Sequence, residues 1–81
     1  VRYDLAVLVA AAEHIYGVSR NGEALMMIAK HSRCPSQDIA KHIGADINDV
    51  LRARLATEFL SGKKWLTSVS RFRTIANQLN S

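Results

Sequence analysis

Proline occurs once, at Pro35, glycine four times, and aromatic residues make up only 6% of the 81 residues. So little proline and glycine excludes a collagen-like or turn-dominated chain, and 48% hydrophobic against 22% charged residues excludes a disordered one. Cysteine also occurs once, so Cys34 can form no internal disulfide. That rules out the stapled secreted scaffolds usual at this size and fits a reducing, cytoplasmic setting. The longest apolar run, Leu5 to Ala12, is bracketed by Asp4 and Glu13 and falls far short of the roughly 20 residues that span a bilayer, so no membrane partner is expected. The front shows neither a methionine nor the basic, apolar, small-residue order of a signal peptide, and the expectation is an excised domain. The length leaves room for one core, hence a single domain over 1–81.

What is present is charge of one sign in one half. Up to residue 40, Arg2, Arg20, Lys30 and Arg33 cancel Asp4, Glu13, Glu23 and Asp38. From residue 41 onward, Lys41, Arg52, Arg54, Lys63, Lys64, Arg71 and Arg73 face only Asp46, Asp49 and Glu58, so the whole net charge of +4 belongs to the second half. A polyanion would be drawn to that half, although a solvated face kept for solubility has the same composition.

The breakers cut the chain into helix-sized pieces without repeats. Leu5, Leu8, Val9, Ala12, Ile15 and Tyr16 recur at helical spacing and stop at Gly17, which predicts a first helix over 3–16. Val7, Ala10 and Ala11 widen its apolar surface, so it either sits centrally or meets a second protomer, and a homodimer through Leu5, Leu8 and Val9 is expected. Asn21 caps a second helix over about 22–31. After the loop from Ser32 to Pro35, Ser36 is expected to cap a short third helix that ends at Gly44. Asp46 and Asp49 stand as N-cap and N3 of a reciprocal capping arrangement, predicting a fourth helix from Ile47 to about Ser61 that is the longest of the set. Beyond Gly62, Val69, Phe72, Ile75, Ala76 and Leu79 favour a helix capped by Ser68. The alternation over 71–74 keeps a two-stranded wing as the alternative, against the lack of glycine or asparagine in the intervening turn. The fold class is therefore all-α.

Within 36–61 lie Ala40, Gly44 four residues on, then Val50 and Ala53. Two short helices that cross steeply need a small side chain at the crossing and a backbone tolerant of positive φ at the bend. On these four residues the segment Ser36 to Ala53 resembles the helix-turn-helix of bacterial transcription regulators, and Trp65 and Leu66 after Gly62 look like the chain leaving the recognition helix of winged-helix proteins. The resemblance implies a transcription regulator, or the DNA-binding part of a larger protein, acting on double-stranded DNA. Asn48 and Arg52 would read base edges from the second helix; Ser36 and Gln37 would touch phosphate from the first. Lys63, Lys64, Arg71 and Arg73 would add salt-sensitive backbone contacts.

Two features oppose this assignment. Asp46 and Asp49 bring negative charge to the end that should approach DNA, and the pattern turns Leu51 and Leu55 toward the groove. Ile47, Val50, Leu51, Leu55 and Phe59 form one apolar stripe and Val50, Ala53, Thr57 and Leu60 another, which suits a buried helix. The alternative is thus a helical protein-interaction module, with Arg54 and Glu58 a simple i, i+4 pair. No enzyme, cofactor or metal is predicted: His14, His31, His42 and Cys34 match neither HExxH nor CxxC spacing, and no phosphate loop or GxSxG elbow occurs. Met26 and Met27 read as core, and Trp65 as the anchor of the last helix rather than a base-stacking residue.

Overall fold

Five helices follow one another: α1 (Leu5–Tyr16), α2 (Gly22–His31), α3 (Ser36–Ile43), α4 (Ile47–Phe59) and α5 (Lys63–Leu79). The computed structural model describes residues 3–80; Val1, Arg2 and Ser81, and with them the Arg2 charge, lie outside the described residues. There is no strand among the described residues, so 63–79 form a helix and not a wing.

The hub is α2. Ala24, Leu25, Met27, Ile28 and Ala29 are buried over more than half of its circumference, with Glu23 and Lys30 on the exposed side, and it packs against both α4 and α1. α1 contributes Leu8, Ala11 and Ala12 to the core and also meets α5, whose Val69, Phe72 and Ala76 point inward. α3 packs on α4 through the buried Ile39 and Ala40. Trp65 is half-buried against the core, in the anchoring role its position predicts. Leu8 has no exposed surface and Leu5 and Val9 lean on the core, so α1 does not hold Leu8 out to a second protomer.

The ends of the helices are set locally. Asn21 Oδ1 accepts from the Glu23 N–H at 2.8 Å and Asp46 Oδ1 from the Asn48 N–H at 2.7 Å, each satisfying one of the unpaired donors of a first turn. Gly44 takes φ 70°, ψ 30°, and its N–H returns to the Ala40 carbonyl, closing α3 in a left-handed cap that a side chain would resist.

Several expectations are corrected. Pro35, not Ser36, is the N-cap of α3, because Ser36 already has helical backbone and its hydroxyl faces α4 instead. Only half of the capping box forms, since the Asp49 carboxylate accepts from Arg52 at 3.1 Å rather than turning back to the cap. α4 stops at Phe59, with Leu60 already extended, and α5 at 17 residues is the longest helix. α5 begins at Lys63, well before Ser68, because Gly62 lies at φ 99° immediately ahead of it and Trp65 must already be helical to reach the core.

Candidate nucleic-acid interface

α5 carries Lys63, Lys64, Arg71 and Arg73 and no carboxylate at any of its 17 positions. Its core stripe of Trp65, Val69, Phe72 and Ala76 turns the opposite face outward; all four cations are exposed, Lys63 and Arg71 toward that face and Lys64 and Arg73 on its two flanks. Lys63, Thr67, Ser70, Arg71 and Thr74 line one open concavity of about 640 Å³ beside Gly62 and Leu66. Lys64 lies on one flank, at a groove of about 300 Å³ shared with Glu23, Met26 and Trp65. Arg73 lies on the other flank, where it meets Lys30 and Arg33 around a concavity of about 470 Å³ with Tyr3, Ser32 and Asn77. Among the described residues the one ion pair is Arg52–Asp49, so none of the four α5 cations is neutralised by a carboxylate.

The fold thus brings Lys63 and Arg71 together and sets Lys64 and Arg73 apart. It also adds Lys30 and Arg33, which summing the charge of the first half had hidden. Their three-residue spacing across the end of α2 was the available signal. Arg71 lies within electrostatic reach of Tyr16, whose hydroxyl is pushed up by burial and by Glu23 and pulled back by that cation.

The residues expected on α3 and α4 are differently placed. The Ser36 hydroxyl accepts from Arg54 Nη1 at 2.8 Å, while Gln37 is exposed. Arg54 also donates from Nη2 to the carbonyls of Ser32, at 3.2 Å, and Cys34. It therefore clamps the α2–α3 connection onto α4 and does not pair with Glu58. Asn48 and Arg52 are exposed, but the Arg52 guanidinium is held by Asp49, and the outer face beside them is apolar. Ile47 is 38% exposed, Leu51 49%, Leu55 57% and Phe59 77%. Of the two stripes read on α4, only Val50 and Ala53 enter the core.

His31 closes the inner wall of the Lys30–Arg33–Arg73 concavity. Its ring stacks on Phe72 with centroids 5.2 Å apart and meets Tyr3 edge-on, and the Tyr3 hydroxyl donates to Asn77 Oδ1. Nδ1 lies 2.9 Å from the Met27 carbonyl, which can only accept, so this nitrogen carries the proton and Nε2 is left buried without a partner. Burial pushes the His31 pKa down; the Met27 hydrogen bond opposes this, and Arg73 and Lys30 add to it. His31 is thereby separated from Cys34 and His42, which border a different concavity with Leu5, Asp38 and Lys41. No group of three or more potential metal ligands gathers among the described residues. No described helix is long and apolar enough to cross a membrane. No family model matches the chain, and no curated protein or solved structure is significantly similar to it.

Proposed function

We propose that this domain binds double-stranded DNA, as a transcription regulator or the DNA-binding part of a larger protein, and that α5 supplies its grip on the phosphate backbone. The observation that carries the reading is α5 itself: Lys63 and Arg71 share its outer concavity, Lys64 and Arg73 lie on its two flanks, the helix holds no carboxylate, and none of these four cations is in an ion pair with a described residue. Here hydroxyls stand between the cations, as in surfaces that both neutralise and hydrogen-bond phosphate. Lys63 and Arg71 are eight residues apart, about 12 Å along the helix, so they can engage separate phosphates, while Arg73 forms a second cationic cluster with Lys30 and Arg33 on one flank.

The α3–α4 pair lends support through Ala40, buried where the helices meet, and through the left-handed Gly44. Asn48 and Arg52 are weaker candidates for base reading, because Asp46, Asp49, Leu51 and Leu55 surround them with groups a groove disfavours. In a filter-binding or anisotropy titration on random duplex, replacing Lys63, Lys64, Arg71 and Arg73 by alanine should flatten the slope of log affinity against log salt by about 0.9 for each phosphate that is no longer neutralised. An unchanged slope in a folded variant, or no salt-dependent duplex binding by the parent, refutes the reading.

The second reading, a protein-interaction module without a nucleic-acid role, is favoured by the exposed apolar face of α4. It expects the duplex titration to be flat.

A further inference from the structure

We infer that the outer ridge of α4, formed by Ile47, Leu51, Leu55 and Phe59, is the interface of a two-fold homodimer. The four side chains recur strictly every fourth residue and so form a single continuous ridge along one side of the helix. Val50 and Ala53 on the opposite side take α4 into the core, and the ridge stays in water at exposures that rise from 38% at Ile47 to 77% at Phe59. A surface helix in a monomer turns its large apolar residues inward; this one turns them both ways.

The occupant follows from shape, area and charge. A ridge built on i, i+4 spacing packs into the groove beside an identical ridge, with the helices crossing at about −50°, the commonest class of helix pair. A heptad seam would instead need alternating steps of three and four, which this face lacks. At exposures of 38 to 77% the four side chains leave roughly 400 Å² of apolar surface in water, so two copies remove at most roughly 800 Å². The bordering Asn48, Arg52 and Glu58 then carry the total past the roughly 1,000 Å² that a specific interface requires. Charge also selects this face. On its exposed side α4 holds Arg52 against Asp49 and Glu58, Arg54 being turned onto the α2–α3 connection, whereas α5 holds four cations and none of the opposite sign. Two molecules of net charge +4 therefore meet through α4 without bringing their cationic α5 helices face to face.

This dimer does not rest on the DNA reading, since it uses a different helix and its test contains no nucleic acid. Sedimentation equilibrium from about 1 µM to about 500 µM should show a monomer–dimer equilibrium for the parent chain. Leu55→Lys and, separately, Phe59→Ser should raise the dissociation constant by about tenfold or more. Both positions are more than half exposed, so neither change disturbs the core, and far-UV circular dichroism verifies the helices. Leu79→Lys, at an exposed apolar residue off the ridge, should leave the constant unchanged. A parent that stays monomeric throughout, a dimer indifferent to both ridge variants, or equal weakening by Leu79→Lys overturns the inference.

Discussion

Arg54 ties together three acceptors that are 18 to 22 residues away in sequence: the Ser36 hydroxyl and the carbonyls of Ser32 and Cys34. The planar guanidinium reaches them from two nitrogens held apart in one rigid fork, Nη1 to Ser36 and Nη2 to the two carbonyls, a spread that the single nitrogen of an ammonium does not reproduce. Arg54→Ala leaves those groups part-buried and unpaired, and hydrogen bonds to a charged donor contribute about 1.5 to 3 kcal/mol, so a destabilisation of about 2 kcal/mol in urea unfolding is expected, with Arg54→Lys recovering less than half. A midpoint shift indistinguishable from that of an exposed arginine such as Arg52 would contradict the clamp. His31 supplies a pH dependence. Its folded pKa lies below the ordinary 6.5, so the unfolded chain binds the proton more readily, and the contribution is complete above 6.5 and lost as pH falls from there through the folded value. Unfolding midpoints measured from pH 7 down to about pH 5 should fall, and His31→Gln should flatten that limb. An equal slope in both proteins would exclude His31 as its source. Asn21 and Asp46 were legible as caps because a cap acts within three residues. The Arg54 clamp was not, because nothing near Arg54 in sequence announces acceptors two elements away.

At the scale of elements, the turn between α3 and α4 depends on Gly44. A Cβ there would meet nothing within 4 Å, so the penalty of Gly44→Ala is conformational alone, about 1 kcal/mol for a left-handed φ. Chemical denaturation should read that loss with duplex affinity of the folded fraction unchanged. A loss several times larger would mean that a neighbour, and not the backbone, sets the position. The start of α5 shows how a tertiary demand overrides a local signal. Ser68 offers a cap in sequence, yet Trp65 contacts the core only if the helix already exists at Lys63. α4 shows the reverse: its two apolar stripes were readable from spacing, but which of them would face the core was not, since a helix apolar on two sides fits either way round.

For the whole molecule, the neutral first half and basic second half become a balanced α4 and a carboxylate-free α5, with Lys30 and Arg33 joining Arg73 at one edge. The cations on α5 repel one another across distances comparable to the Debye length, so raising salt from about 20 mM to about 200 mM should increase the thermal midpoint by a few degrees. The variant with all four cations replaced by alanine should be more stable at low salt and lose most of that dependence. A parent midpoint that is flat or falls with salt would show that the repulsion is negligible. By itself the sequence determined the first four helical segments, the caps at Asn21 and Asp46, the bend at Gly44 and the half of the chain that holds the charge, and left the last segment open between helix and wing. Each of these follows from interactions within a turn or two, or from simple summation. Only the tertiary structure decided that α2 is the hub, that Leu8 is spent on the core, that Arg54 faces inward and that the ridge of α4 faces outward. Those outcomes depend on which surfaces compete for one small interior, and 81 residues cannot bury every apolar face they carry.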